Sequence, residues 1–179
     1  MLERYLIEHC SPTLANIKTA NLFSCPTACV QQLEQWNQML QGKGIRVELL
    51  RLRQNTSLVY VYRPSRLARD LAAAGVADFL RQQGYTQLEP ENILHQLRSR
   101  LASCAQFPHE IGVFLGYPLG DVLGFIQYAG TNYKCSGCWK VYCDACQAKR
   151  LFTQFHKCRR VYQQLFVQGR SIQKLTVAA

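Results

Sequence analysis

The chain has 179 residues, of which 48% are apolar and 18% are charged, and its formal net charge is +10. This balance excludes an intrinsically disordered chain, and the length suits one well-packed domain over residues 1–179. No apolar run approaches the roughly 20 residues that a membrane helix needs, and the N-terminus lacks the basic-then-apolar order of a secretion signal. We therefore expect a cytoplasmic protein with no membrane partner.

The N-terminal part of the chain predicts two helices followed by a β-hairpin. Ser11 is suited to cap a helix, and Pro12 is suited to be its first residue. Residues 25–44 carry apolar side chains at heptad spacing and end in glycines, which predicts a second helix. Residues 45–53 and 57–63 are rich in β-branched and apolar residues around a short polar turn, which predicts the hairpin.

The remainder of the chain predicts helices alternating with short strands. Helical sequence runs over residues 64–84 with a break at Gly75, and residues 90–104 form an amphipathic helix with Cys104 on its apolar stripe. The other expected elements are a strand at 109–117, a helix at 118–130, a strand at 139–142, a long helix between Asp144 and Gly169, and a strand at 172–178. This pattern predicts an α+β fold with a mixed or mostly antiparallel sheet flanked by helices.

Four of the nine cysteines lie close together, at positions 135, 138, 143 and 146. The two pairs are separated by only four residues, whereas zinc ribbons usually place a dozen or more between theirs. As a strand, these four residues would hold the pairs about 13 Å apart. We therefore expect that the four cysteines do not form one tetrahedral metal site, and we assign no metal ligands.

Positive charge is concentrated in the C-terminal part of the chain. From Lys134 onward there are nine Lys and Arg residues and one acid, Asp144. Such asymmetry favours an anionic partner: a nucleic acid, a phosphorylated ligand or an acidic protein. A solvated basic helix face is the alternative. Arg159 lies near the middle of the long helix's apolar face, where it either extends its charged end to solvent or reaches a buried anion or carboxylate.

Several stretches resemble a bacterial family of unknown function numbered 3793: "HCSPTLANIKTANLF", "FPHEIGVFLGYPLGDVLGFI" and "CSGCWKVY", with the later "KCRRVY" and "GRSIQKLTVA". The resemblance extends over nearly the whole chain, but it implies neither an activity nor a cofactor. Cys143 and Cys146 fall where the family pattern lacks cysteine. The matching positions are His9, Cys10, Pro12, Lys18, His109, Glu110, Gly116, Tyr117, Pro118, Asp121, Cys135, Trp139, Lys140, Tyr142 and Cys158.

The leading functional hypothesis is a thiol-dependent catalytic or ligand-binding site built on Cys10 and His109. A thiol just before a helix N-terminus has a lowered pKa, and a cysteine followed much later by a histidine is the order found in papain-like enzymes. Asp121 or Glu110 would supply the third catalytic group. The sequence alone does not decide whether the protein is an enzyme.

Two other hypotheses remain open. The first is binding of a metal or redox cofactor by ligand-type side chains, namely His9, Cys10, His109, Glu110 and Cys135. The second is binding of a nucleic acid or a small anionic ligand. For a nucleic acid the candidate residues are Lys140, Lys149, Arg150, Lys157, Arg160 and Arg170, with Trp139 and Tyr142 for stacking. For a small ligand we expect Arg159 and Lys140 to line one pocket, and the candidate residues are His9, Lys18, Tyr117, Trp139, Lys140, Tyr142 and Arg159.

Overall fold

A three-stranded antiparallel sheet in the order β1-β3-β2 is central to the computed structural model, which describes residues 1–103 and 107–178. A separate two-stranded ribbon, β4-β5, follows later in the chain. The strands are β1 Ala20–Pro26, β2 Arg46–Leu52, β3 Thr56–Tyr62, β4 Cys135–Ser136 and β5 Lys140–Val141.

Helices cover both faces of the sheet. They are α1 Leu2–Leu14, α2 Leu33–Gln41, α3 Pro64–Leu71, α4 Val76–Gln82, α5 Pro90–Ser103, α6 Ile111–Phe114, α7 Leu119–Gln127, α8 Ala145–Val167 and α9 Ile172–Leu175, and a 3-10 helix spans Thr27–Gln32. The predicted α+β class, with an antiparallel sheet flanked by helices, is confirmed. Among the described helices, none has both the length and the apolar character that crossing a membrane requires.

The middle strand β3 is apolar on both faces because a hydrophobic core lies on each side of it. Tyr60 and Tyr62 belong to the core formed with α3 to α7. Val59 and Val61 belong to the core formed with α1, α2 and α9. Since successive side chains of a strand point to opposite faces, one continuous apolar run serves both cores.

Helix α8 connects the sheet to the cysteine-rich ribbon. It packs along α1, and its N-terminal part contributes Ala148 and Phe152 to a small third core with Val141 of β5. This arrangement places the ribbon, α8 and the end of α1 next to one another, and the candidate site lies between them.

Several predicted elements are confirmed. Strands β2 and β3 form the hairpin, and the helical sequence after β3 is interrupted at Gly75, which has a φ of 78°. The Asp144 side chain caps α8 by accepting a hydrogen bond from the Gln147 N–H at 2.9 Å. Helix α8 ends at Val167, shortly before Gly169.

The prediction for the N-terminal segment was wrong. Helix α1 begins at Leu2 and contains Pro12, so the Ser-Pro pair lies near its C-terminal end and does not start a helix. Burial of Leu2 and Leu6 in the core stabilises the early turns, which the local capping signal did not reveal. Residues 25–44 are also not one helix, since Pro26 ends β1 and a 3-10 helix precedes α2.

Two predicted strands are helices in the structure. Residues 109–117 form a turn and the short α6, and residues 172–178 contain α9, which Ser171 caps. A short apolar run does not distinguish a buried strand from a buried helix, and this ambiguity caused both errors. The strand predicted at 139–142 is reduced to Lys140–Val141, and Cys104 lies outside the described residues.

Candidate functional site

Asp121 anchors the cysteine-rich ribbon to α7. Its carboxylate accepts hydrogen bonds from the Trp139 indole N–H at 2.7 Å and from the backbone N–H groups of Tyr142 and Cys143, both at 2.8 Å. The residue is buried, with 3% of its surface exposed. The structure therefore gives Asp121 an anchoring role, while its part in catalysis stays a prediction.

Two glycines on one face of α7 allow the ribbon to approach closely. A Cβ at Gly124 would collide with the Tyr142 side chain, and a Cβ at Gly120 would collide with the Cys143 Sγ. Because the two glycines are four residues apart, they lie on the same side of the helix. The helix surface beneath the ribbon is therefore flat enough for direct contact.

A cavity of about 500 Å³, called here the aromatic cavity, lies between α7 and the ribbon. Tyr117 stacks on Trp139 with ring centroids 4.8 Å apart, and His109 meets Phe125 edge-on at 5.0 Å. The lining residues are Phe107, His109, Ile111, Gly112, Tyr117, Asp121, Val122, Phe125, Ser136, Gly137, Cys138, Trp139 and Lys140.

A second cavity of about 270 Å³, called here the cation pocket, lies between α1, the start of β1 and α8. It contains two cationic side chains and two histidines, and none of the described residues that line it is acidic. The lining residues are His9, Pro12, Lys18, Asn21, Leu22, Tyr117, Gly137, Cys138, Phe155, His156 and Arg159.

Arg159 has a buried donor in the cation pocket that lacks an acceptor. Its Nε atom is buried, and in the described part of the chain the guanidinium makes no hydrogen bond or ion pair. From the sequence, a buried anion or an internal carboxylate was one of the two expected environments for Arg159. Within the residues that the structure describes, no carboxylate takes that place.

Lys18 contributes a second buried cation to the same pocket. Its Nζ donates hydrogen bonds to the Ala20 carbonyl and, at 3.0 Å, to the Leu115 carbonyl, and it lies 5.2 Å from the centroid of the Tyr117 ring. Burial lowers the pKa of Lys18 to about 8, from an ordinary value of 10.5. The amine is therefore protonated at neutral pH but close to its titration range.

The ring of His9 completes the α1 side of the pocket. It packs against Phe23, at 5.4 Å, and Tyr5, at 6.0 Å, and these two rings also contact each other, at 5.9 Å. Burial lowers the pKa of His9 below 6.5, Glu8 opposes this shift, and the nearby Arg159 adds to it. Without a bound anion, His9 is neutral at physiological pH and offers one N–H donor.

The structure contradicts the basis of the thiol hypothesis at Cys10. The residue lies near the C-terminal end of α1, where the helix dipole favours cations, and not before a helix N-terminus. Cys10 is fully buried, and burial raises the pKa of its thiol well above the ordinary value of 9.0. It lines neither cavity, whereas His109 lines the aromatic cavity.

Glu110 is already paired within the protein. Its carboxylate accepts a hydrogen bond from Arg100 Nε at 2.8 Å and another from the Tyr85 hydroxyl at 3.2 Å. With only 3% of its surface exposed, Glu110 joins α5 to the turn before α6. The structure thus gives it a packing role, and its catalytic role stays a prediction.

The ribbon cysteines differ in exposure. Cys135 and Cys138 are half-buried against the small core with Phe152, whereas Cys143 and Cys146 are exposed. Within residues 1–103 and 107–178, no group of three or more His, Cys, Asp or Glu side chains is arranged to hold a metal ion. Burial raises the pKa of Cys138, which lies between the two cavities.

Lys140 and Tyr142 do not reach the cation pocket. The Lys140 Nζ donates to the Gly130 carbonyl at 2.6 Å and lies 5.0 Å from the Tyr133 ring centroid. Tyr142 stacks on Tyr128 at 5.9 Å. The expectation that Lys140 would share a pocket with Arg159 was therefore wrong, because Lys140 lines the aromatic cavity and Lys18 takes its place.

Sequence reasoning missed Asn21, His156 and Phe125 as site residues. A signal for His156 was present, because it lies three residues before Arg159 and therefore on the same face of α8. Asn21 and Phe125 carried no such signal. They reach the site only through the path of β1 and the packing of α7.

Fold and site define an α+β protein in which an aromatic cavity adjoins a cation pocket. The chain belongs to the family described as protein of unknown function DUF3793, whose model matches residues 6–176. No curated protein and no solved structure matches the chain.

Proposed function

We propose that the protein binds a small phosphorylated ligand, with the phosphate group in the cation pocket. The observation that carries this proposal is the Arg159 guanidinium, whose buried Nε lacks a hydrogen-bond partner in the described part of the chain. Arg159 is half-buried, and its buried Nε has lost contact with water without gaining an acceptor. A bound phosphate supplies the missing acceptor through a charge-assisted hydrogen bond.

Asn21 supports the proposal because its amide is oriented for donation. The Thr13 hydroxyl donates to Asn21 Oδ1 at 2.7 Å, so the carbonyl oxygen of the side chain is already used. The remaining NH₂ group carries two donors, and Asn21 lines the cation pocket. An oriented amide donor beside a cationic arginine suits an oxygen-rich anion.

Lys18 supplies charge and not a direct bond. Two backbone carbonyls hold its ammonium group, and Tyr117 lies beside it. In a buried site the attraction between charges is weakly screened, so a fixed ammonium stabilises an anion that it does not touch. Together, Arg159, Lys18 and Asn21 favour a phosphate over a neutral ligand.

The exposed basic face of α8 suggests an alternative function, in which this surface binds a nucleic acid. Lys149, Arg150, Lys157 and Arg160 are exposed on this helix. However, the Tyr142 ring is stacked on Tyr128, and Trp139 lines the aromatic cavity. The two aromatic residues predicted to stack on bases are therefore engaged elsewhere, and the face loses the stacking partners that single-strand binding proteins use. The pocket is therefore the favoured site.

Calorimetric titration with ribose 5-phosphate and thermal unfolding with the same compound test the proposal. We expect saturable binding of one equivalent and a rise in Tm, because a ligand at about 100 times its Kd stabilises the folded state by about 2.7 kcal/mol. Arg159→Met should lower the affinity by at least about tenfold. Arg160→Met, which changes the exposed neighbour on the same helix, should change it by less than about twofold.

Two results would contradict the proposal. One is the absence of any ribose 5-phosphate binding by the unaltered protein. The other is an equal loss of affinity in the Arg159→Met and Arg160→Met variants together with a steep dependence on salt, since that combination indicates a charged surface and not a pocket.

A further inference from the structure

The aromatic cavity and the cation pocket are neighbours that share part of their walls. Tyr117, Gly137 and Cys138 line both cavities. The Tyr117 ring is the central partition, since it stacks on Trp139 of the aromatic cavity and lies 5.2 Å from the Lys18 Nζ of the cation pocket. The two spaces therefore adjoin, which is the arrangement that a ligand with an aromatic end and an anionic end requires.

The aromatic cavity is suited to a flat ring. Four of its side chains are aromatic, namely Phe107, Tyr117, Phe125 and Trp139. Phe107 is 40% exposed, so apolar ring surface is left in contact with solvent inside a concave site. A volume of about 500 Å³ lies in the range of small-molecule sites and accommodates a one- or two-ring heterocycle.

Polar groups for the edge of such a ring are also present. His109 and Ser136 line the cavity, and both residues are exposed, so their polar atoms are accessible to a ligand. Lys140 differs, because it is tied to the Gly130 carbonyl. A heterocycle with nitrogen and oxygen atoms on its edge would use His109 and Ser136, whereas a plain hydrocarbon ring would not.

We infer that the phosphorylated ligand is a mononucleotide. Its base occupies the aromatic cavity, its phosphate occupies the cation pocket, and its ribose lies beside the shared residues Gly137 and Cys138. The inference rests on the proposed function, because it extends the phosphate site by an adjoining base site. The base adds stacking on aromatic rings to the charge-assisted bonds of the phosphate.

The test compares the four ribonucleoside 5′-monophosphates with ribose 5-phosphate, since the two kinds of ligand differ only by the base. We expect at least one nucleotide to bind about tenfold more tightly than ribose 5-phosphate. Phe125→Leu and His109→Ala should remove this gain and leave the affinity for ribose 5-phosphate within about twofold. Leu123→Ala, an exposed position on the same helix outside the cavity, should retain the gain.

Tryptophan fluorescence is a second measurement of where the base binds. The chain has two tryptophans, and Trp36 lies in the core on the other face of the sheet. In a Trp36→Phe background, Trp139 alone reports on the aromatic cavity. Nucleotide binding should quench its emission, and ribose 5-phosphate should leave it nearly unchanged.

The outcomes separate this inference from the proposed function. If all four nucleotides bind no better than ribose 5-phosphate, the base site is wrong and the phosphate site stands. If adenosine binds as tightly as AMP, the two cavities are not used by one ligand, and the inference fails. If neither nucleotide nor ribose 5-phosphate binds, the proposed function fails first, and the inference fails with it.

Discussion

Two arginines of this chain, Arg63 and Arg159, have buried guanidinium nitrogens, yet their surroundings differ completely. Arg159 Nε has no hydrogen-bond partner among the described residues. Arg63 is fully buried and donates to four backbone carbonyls. These belong to Thr13 at 2.7 Å, Leu14 at 2.9 Å, Val177 at 2.6 Å and Lys43 at 3.2 Å.

The difference separates a structural cation from one available to a ligand. Arg63 ties together the C-terminal end of α1, the turn after α2 and the C-terminal segment through the carbonyls that it bonds there. Arg159 stabilises no comparable junction. Burial alone does not reveal a binding residue, whereas the satisfaction of its donors does.

The largest expected effect is on stability, and it follows from removing Arg63. Arg63→Met removes four hydrogen bonds of a buried cation, two of them fully buried, so we expect the free energy of unfolding to fall by roughly 3 kcal/mol. Arg159→Met removes a charge that has no internal partner and should change it by less than about 1 kcal/mol. Urea denaturation of both variants, followed by circular dichroism, measures the two effects.

Equal destabilisation by the two substitutions would contradict the distinction between Arg63 and Arg159. It would mean that Arg159 has a structural role like that of Arg63, and the cation pocket would lose its main support. A matched substitution at an exposed arginine, Arg81→Met, gives the reference value for losing an arginine at the surface.

The sequence was sufficient to predict elements that depend on local periodicity and turns. The β-branched and apolar residues of β2 and β3 around a short polar turn predicted their hairpin, and Gly75 predicted the break between α3 and α4, where a positive φ is required. The Ser11-Pro12 pair wrongly predicted a helix start, because core packing along α1 outweighs a local capping signal. The helix therefore continues through a residue that usually starts one.

The site was predicted only in part for a similar reason. Arg159 was recognisable from the sequence because a cation in an apolar helix stripe is unusual. Its neighbour Lys18 was named as a ligand residue but not as the partner of Arg159, since the two come from opposite ends of the chain. Only the packing of α1 against α8 brings them into one pocket.

Asp121 extends the comparison to a buried anion, and its removal has the second-largest expected effect. Like Arg63, its charged group is fully used, in this case by three N–H donors. Asp121→Ala should lower the free energy of unfolding by roughly 2 kcal/mol, because the two backbone N–H groups lose their acceptor. It should also remove the base-dependent gain in affinity, since Trp139 and the ribbon form one wall of the aromatic cavity.

Asp78→Ala is the matched control, because that carboxylate is exposed and pairs only with Arg81 on the surface. It should alter stability by less than about 1 kcal/mol. An Asp121→Ala variant with unchanged stability and unchanged nucleotide binding would show that the ribbon is held by its own core and not by this carboxylate.

The smallest expected effect concerns Lys18, which is intermediate between Arg63 and Arg159. Its ammonium group already bonds two backbone carbonyls, but its pKa is close to physiological pH. Burial lowers the pKa of Lys18 to about 8 in the free protein. A bound anion favours the protonated amine and raises that pKa. Anion affinity should therefore be fully present below pH 8 and fall by roughly tenfold as the pH rises above 8, if binding shifts this pKa by about one unit.

Sulfate is the appropriate probe for this effect, because it stays a dianion throughout the range and does not titrate itself. The surrounding groups also stay unchanged: burial raises the pKa of Tyr117 to about 12 and raises that of Cys138, and His9 is already neutral. Lys18→Met should weaken sulfate binding and remove its decline between pH 7 and 9, whereas Lys149→Met, at an exposed position, should retain the decline. An unaltered protein whose sulfate affinity is constant over this range would show that Lys18 does not act on the anion, and the phosphate site would then depend on Arg159 and Asn21 alone.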